Sequence, residues 1–211
     1  MTAKQQSYEN TAKTIIANLT RRHMDGYYCA TAEEAMDKIL SLMPQGSSIG
    51  WGGSMTLGEI GFYDAIQGKG YNVIDRAKAT TPEEQKVINA QLLGCDYFFM
   101  STNAITLDGE LVNVDGRGSR LAYLCFGPEN VIVVAGMNKV VADVDSGIKR
   151  TRNIAAPANT VRLNRKTPCA TTGRCADCTS QDCICAQTVI TRLSLVPGRI
   201  KVILVGQELG Y

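Results

Sequence analysis

Histidine is nearly missing from this chain: His23 is the only one in 211 residues. A single histidine just past a helical stretch reads as a surface residue, which sets aside histidine-based acid–base chemistry and histidine-ligated metal. Long apolar runs are missing as well. No stretch approaches the roughly 20 residues needed to cross a bilayer, and the opening MTAKQQSYENTAK lacks the apolar core of a signal peptide. The expectation is a cytoplasmic protein with no membrane span. A dominant charge sign is also lacking: 22 basic against 20 acidic residues leave +2, so nothing global points to nucleic acid or an anionic membrane. Internal repeats and low-complexity tracts are absent. What is present is the composition of an ordinary globular chain, 45% hydrophobic, and enough length for one α/β domain with a substantial core.

Helical periodicity runs through Tyr8–Leu19 and Ala32–Met43, the second with a Thr31/Glu34 capping box. SSIGWGG reads as a strand ending in a glycine turn, TLGEIGFYDAIQ as a helix, YNVID as a strand, TPEEQKVINAQLLG as a helix and DYFFMST as a strand. AITLDGELVNVDG is a hairpin through the Asp108-Gly109 turn. A short helix SRLAYLCFG, a buried strand NVIVVAG, a helix stopped before Pro157 and a second helical piece PANTVRLNRK follow. QTVITRLSL and RIKVILVGQELG close the chain as two strands joined by Val196-Pro197-Gly198. Strands alternating with helices predict a three-layer α/β fold, Rossmann-like, with a mixed but mainly parallel sheet. Residues 1–211 read as a single domain, with 167–186 as a loop insertion before the last strands.

Three stretches carry candidate chemistry. The first is IGWGGSMTLGEIG, where a strand meets Gly50, Gly52, Gly53 and Ser54 before a helix. Ligands in open α/β sheets sit beyond the carboxyl ends of the strands, where helix N–H groups face anions. The spacing is neither a dinucleotide fingerprint nor a Walker A loop, and Thr56 with Glu59 also reads as a capping box. The second is the polar hairpin, which gathers Asn103, Asp108, Glu110, Asn113, Asp115, Arg117 and Arg120 around two Asp-Gly pairs. Strand alternation points Asn113 and Asp115 the same way. Such a set suits a small polar substrate, or only turn chemistry and a surface ion pair. The third is Lys139 in VIVVAGMNKVV, positioned to reach a ligand across the strand ends or to stand in solvent.

Five of the eight cysteines crowd into CATTGRCADCTSQDCIC, residues 169–185. Cys175 and Cys178 form a C-x2-C pair. With Cys169 before and either Cys183 or Cys185 after, four thiolates are available for a closed site. Soft thiolates suit zinc or an iron–sulfur cluster equally, and C-x2-C pairs also serve thiol–disulfide exchange. Few apolar side chains beyond Ile184 lie in this segment, so without a cross-link its ordering is poorly offset. Cys29, Cys95 and Cys125 read as small hydrophobes. The basic run Lys149, Arg150, Arg152, Arg162, Arg165, Lys166 and Arg174 reads as a solvated face or a docking surface for an acidic partner.

Taken in order, WGGSMTLGEIG, STNAITLDGELVNVDGRGSRLA, FGPENVIVVAGMNKV, TPC…TGRCADC and VILVGQELG resemble the LUD domain of lactate-utilisation proteins over residues 8 to 211. The resemblance implies a fold similar to sugar-phosphate isomerases and CoA transferases. It also implies a part in oxidation of L-lactate to pyruvate beside partner proteins that carry iron–sulfur clusters. Carried over, the glycine loop falls on Gly52, Gly53, Ser54 and Thr56, with Glu59 in the following helix. The polar hairpin falls on Asn103, Asn113, Asp115, Gly116 and Arg120, and the GxNK turn on Gly136, Asn138 and Lys139. This chain departs from the family pattern at Arg117 and Ser119, where asparagine is expected. The family commonly lacks the cysteine at Cys183, which favours Cys169, Cys175, Cys178 and Cys185 as metal ligands.

The resulting expectation is a small carboxylate or other anion held between the glycine turn and the hairpin. Gly53, Ser54 and Thr56 take its carboxylate, Arg120 or Lys139 balances charge, and Asp115 or Glu59 accepts a proton. The cysteine segment is expected to stand apart from this pocket. Two alternatives are a non-catalytic electron relay docking an iron–sulfur partner, and an isomerase or CoA-transferase-like enzyme using Glu59 or Glu110.

Overall fold

The computed structural model describes all residues, 1–211. In chain order the elements are α1 (Ala3–Arg21), β1 (Asp25–Cys29), α2 (Ala32–Leu42), β2 (Ser48–Trp51), α3 (Met55–Glu59), α4 (Phe62–Ala65) and β3 (Asn72–Ile74). Then come α5 (Pro82–Leu93), β4 (Tyr97–Met100), β5 (Ala104–Thr106), β6 (Leu111–Asp115), α6 (Ser119–Cys125), β7 (Asn130–Gly136) and β8 (Val140–Val141). The chain ends with α7 (Val144–Arg150), α8 (Ala156–Arg162), α9 (Pro168–Thr172), β9 (Gln187–Thr191) and β10 (Ile200–Val205).

Six strands form one sheet in the order β1-β10-β7-β4-β2-β3, every pairing parallel. Its central strands are buried on both faces, and residue parity divides them between two cores. Val131, Val133 and Ala135 of β7 and Val202 and Leu204 of β10 pack toward α1, α5 and α6. Ile132 and Val134 of β7 and Ile203 and Val205 of β10 pack on the other side, toward α2, α3 and α4. Two-sided burial explains why these strands read as continuous apolar runs.

The antiparallel hairpin belongs to a separate four-stranded sheet, β8-β5-β6-β9. Its turn is as expected, with Gly109 at φ 84° and its N–H donating to the Thr106 carbonyl at 2.9 Å. The last two strands, however, do not pair with each other. β9 runs antiparallel to β6, whereas β10 inserts between β1 and β7. The Pro197-Gly198 turn therefore moves the chain from one sheet to the other, and the mixed character lies in the second sheet alone.

β1 escapes a periodicity reading because DGYYC has one fully buried residue, Cys29, and opens on a turn-like Asp-Gly. Gly26 is needed there for packing: a Cβ would stand 2.9 Å from Ile16 Cγ1 and 3.2 Å from Ile16 Cα of α1. Nor does the helix stop before Pro157. α7 continues through a π-helical turn, Thr151–Ala155, directly into α8. The wider turn accommodates the missing proline N–H, a usual cause of such bulges.

Candidate functional site

Chain order reverses direction at β2: the chain goes outward to β3 and then back to β4 on the other side. A crevice beyond the carboxyl ends of β2 and β4 follows from that switch. There the protein has a cavity of about 1190 Å³. The loops after β2, β3, β4 and β7 supply Gly53–Thr56, Arg76, Ser101–Asn103 and Lys139. The hairpin end supplies Asp115, Gly116, Arg117 and Arg120, and α8 supplies Asn159 and Arg162.

Lys139 is the unusual group. Its side chain is buried, with the residue 3% exposed, and Nζ donates to Thr56 Oγ1 at 2.8 Å and Ser101 Oγ at 2.9 Å. Burial, with Arg150 and Arg120 nearby, lowers its pKa to about 7, while Glu59 acts weakly in the opposite sense. No carboxylate forms an ion pair with it. A lysine so placed is partly neutral near pH 7 and can accept a proton.

The glycine loop is built differently from its sequence pattern. The helix expected over TLGEIGFYDAIQ is two short ones, broken at Gly61 with φ 74°. Ser54, not Thr56, is the N-cap, accepting from Leu57 N–H at 3.2 Å. Thr56 turns inward to Lys139, and Glu59 Oε2 accepts from Gly210 N–H at 2.6 Å. The Thr56/Glu59 capping box is thus replaced by two long-range contacts. A five-residue helix adds little dipole, so positive potential at the loop comes from side chains.

The hairpin residues mostly hold structure. Arg120 Nη1 donates to the Ser101 carbonyl at 3.1 Å. Its Nη2 donates to Asn103 Oδ1 and the Val114 carbonyl, each at 2.9 Å. Asp115 Oδ2 lies 3.7 Å from Arg120 Nε, and Oδ1 accepts from the backbone N–H groups of Arg117 and Gly118 at 3.1 Å each. Asn103 Oδ1 also accepts from Val114 N–H at 2.8 Å. Arg150 is no surface charge: it donates to the carbonyls of Asn138 and Asn103 at 3.0 and 2.7 Å, tying two cavity loops together.

Of the residues singled out from sequence, Gly53, Ser54, Thr56, Asn103, Asp115, Gly116, Arg120 and Lys139 line the cavity. Gly52 lies behind the loop, where a Cβ would come 3.2 Å from Arg120 Cγ. Glu59 lies outside, holding the C-terminal tail. Asn138 lies outside as well: its Oδ1 accepts from Leu209 N–H and its Nδ2 donates to the Gly210 carbonyl. Gly136 serves the same junction. A Cβ there would be 2.6 Å from Leu209 N and 2.7 Å from the Gln207 carbonyl oxygen. Gly136→Ala is expected to lower stability by about 1–3 kcal/mol, the scale of overpacking against backbone, measured by urea denaturation.

Asn113 is fully buried, and neither its Oδ1 nor its Nδ2 has a hydrogen-bond partner. By strand alternation it shares a face with Leu111, which packs into the first core, and with Asp115, which lines the cavity, but Asn113 itself does not line it. An unpartnered buried amide costs about 1–3 kcal/mol, so Asn113→Leu is expected to raise the thermal midpoint, read by calorimetry.

The cysteine segment is not separate from the cavity. Residues 178–186 form one of its walls. Gly116 makes this approach feasible: a Cβ would stand 3.3 Å from Ile184 Cα and 3.6 Å from the Cys183 carbonyl oxygen. Arg152 of the basic run donates to Cys175 Sγ at 3.3 Å and pairs with Asp177, while Arg165 pairs with Asp182 at 3.6 Å. Sequence reasoning missed Arg76, Ser101 and Asn159. Ser101 had a signal, the polar Ser-Thr that ends the apolar strand DYFFM. Arg76 and Asn159 had none.

The profile of the LUD domain matches residues 12–205. A DUF162 family protein from Deinococcus radiodurans is similar in structure, with TM-score 0.53 and 15% identity, over 94% of this chain and 98% of that one. A ribose 5-phosphate isomerase from Plasmodium falciparum aligns over 53% of this chain and 52% of its own, at 17% identity and TM-score 0.33, a likeness too low to carry weight. No curated protein matches the chain significantly. No helix is long and apolar enough to cross a membrane.

Proposed function

The chain belongs to the LUD domain family, and from that membership we propose that it takes part in oxidising L-lactate to pyruvate, binding the small acid in the cavity beyond β2 and β4. The observation that carries this reading is the charge of the cavity. Five arginines line it, Arg76, Arg117, Arg120, Arg162 and Arg165, against two carboxylates, Asp115 and Asp182. A concave site of one charge sign concentrates an anion of the other.

In this reading Arg76, Arg117 and Arg162 hold the carboxylate and Lys139, in its neutral form, accepts the proton of the 2-hydroxyl. Lys139 takes the proton-accepting role because Asp115 is engaged by Arg120 and two backbone N–H groups, and Glu59 lies outside the cavity. The C2–H bond then breaks and gives up a proton and two electrons, the proton to solvent and the electrons to iron–sulfur partner proteins. The thiol segment holds a metal, zinc or an iron–sulfur cluster.

The test is calorimetry with L-lactate and pyruvate on anaerobically purified protein, paired with lactate-dependent growth of a complemented deletion strain. Binding of either acid that weakens at high salt is expected. No binding, together with full growth in Lys139→Met, overturns the reading. The relay reading is distinguished in the same strains, because it requires growth to depend on Cys175 and Cys178 while cavity variants remain active. Nothing favours the isomerase or CoA-transferase reading. It needs a nucleophilic glutamate, and no glutamate lines the cavity. Glu110 instead accepts from Thr106 Oγ1 and pairs with Arg22 at 3.5 Å.

A further inference from the structure

Two hydroxyls and the C-terminal tail close around the amine of Lys139. Nζ donates to Thr56 Oγ1 at 2.8 Å and to Ser101 Oγ at 2.9 Å. The hydrogens of both hydroxyls are used elsewhere. Thr56 Oγ1 donates to the Leu209 carbonyl and Ser101 Oγ to the Thr102 carbonyl, each at 3.4 Å. Both oxygens therefore meet the amine as acceptors, and each takes one of its N–H groups. The tail packs against the same atoms: a Cβ on Gly210 would stand 2.6 Å from Thr56 Oγ1 and 3.3 Å from Nζ.

A neutral amine has two N–H groups and one lone pair. Here the two hydroxyls occupy the N–H groups, so the remaining tetrahedral position carries the lone pair. Lys139, Thr56 and Ser101 all line the cavity, which is the side left open to a ligand. Burial, with Arg150 and Arg120 nearby, favours this neutral form. Both arginines are fixed in place, Arg150 by the carbonyls of Asn138 and Asn103, Arg120 by Ser101, Asn103 and Val114. A lysine desolvated beside other cations is a setting in which amines attack carbonyl carbon.

We propose that Lys139 is also a nucleophile, forming a reversible imine with the carbonyl carbon of a 2-oxo acid bound in the cavity. The proposal rests on the reading of this cavity as a site for small acids, and adds a covalent step to it. The lone pair of Nζ bonds to C2, and the carbonyl oxygen takes up a proton to give a carbinolamine. The C2–O bond then breaks as the C=N bond forms. The carbonyl oxygen and the two amine hydrogens leave as one water, so no oxidant or reductant is consumed. A 2-hydroxy acid has no such carbon and binds without a bond. Once Lys139 has passed its proton to solvent, the 2-oxo acid made from lactate is captured where it forms. A lysine held as the imine cannot serve as a base, so accumulating 2-oxo acid restrains the oxidation that produces it.

The test is incubation of the full-length protein with pyruvate above neutral pH, then borohydride, read by mass spectrometry of the intact chain and its peptides. One adduct per chain is expected, on Lys139, with the mass of pyruvic acid less one oxygen atom. L-Lactate in place of pyruvate should give none, and in excess should slow the trapping. Lys139→Met should lose the adduct. The modified residue is read directly from wild-type peptides, so the result stands even if that variant fails to fold. Label spread over exposed lysines and unchanged in Lys139→Met overturns the proposal. Calorimetry with pyruvate on the same sample separates the two ways of failing. Binding without an adduct overturns the imine and leaves the acid-binding reading standing, whereas neither binding nor adduct overturns both. An adduct that excess L-lactate does not slow keeps the imine and removes lactate as the ligand.

Discussion

Lys139→Met is expected to lower lactate-dependent dye reduction in complemented cell extracts by about a hundred- to ten-thousandfold, the usual contribution of a positioned acid–base group. The native protein should lose activity on its acidic limb, falling about tenfold per pH unit below the lysine pKa, because only the neutral amine accepts a proton. Its pKa of about 7 places that limb in the neutral range. A stability signature follows from the same shift and needs no substrate. The folded-state pKa lies below the ordinary 10.5, so between these values the unfolded chain binds more protons than the native one. Native stability therefore rises with pH through that window, and the contribution is lost as pH falls toward 7. Lys139→Met removes the titrating group, and its urea-unfolding free energy should rise less steeply over that range. Equal slopes for the two proteins would show that Lys139 keeps an ordinary pKa and would remove it as the proton acceptor.

Arg120→Ala is expected to unfold the hairpin end before it affects any ligand. The guanidinium joins the loop after β4, the end of β6 and Asn103 through three hydrogen bonds, and it neutralises Asp115. Truncation leaves these acceptors and a half-buried carboxylate without their cation. Breaking a buried charge of this kind costs about 3–5 kcal/mol, which for a domain of this size is a fall in thermal midpoint on the order of 10 °C. Arg120→Lys should recover little, since an ammonium cannot span acceptors set in a fork. A thermal midpoint near that of the wild type, with acid binding lost, would instead place Arg120 among the ligand-holding residues. Trp51, the only tryptophan, immediately precedes the glycine loop and packs on Phe62 and Tyr63 at 5.9 and 5.4 Å between ring centroids. Its fluorescence reports the melt from the strand that leads into the glycine loop.

Much of the architecture could be read locally. NVIVVAG and RIKVILV are runs that only a strand buried on both faces makes, and each became a central strand. DG at 108–109 between apolar stretches demanded a hairpin. What could not be read was which strands pair. β9 and β10 are adjacent in sequence with a Pro-Gly between them, the usual mark of a hairpin, yet each pairs with strands far away in the chain. Pairing is chosen by apolar faces that meet only in the folded state, and no window of a few residues contains that choice.

The candidate site divides along the same line. Residue type and order alone determined that the chain is α/β, that polar residues follow the ends of parallel strands, that five thiols sit within seventeen residues, and that the family is the LUD domain. The tertiary structure alone decided which polar groups face the cavity and which are occupied elsewhere. Glu59 is taken by Gly210, 151 residues away, and Thr56 meets Lys139 across 83. Asn113 lies in the core, and the thiol segment closes the cavity instead of standing apart from it. The physical reason is common to all four. A helix or strand is specified by repeating local geometry, whereas the partner of a polar side chain is specified by which distant backbone comes to rest against it.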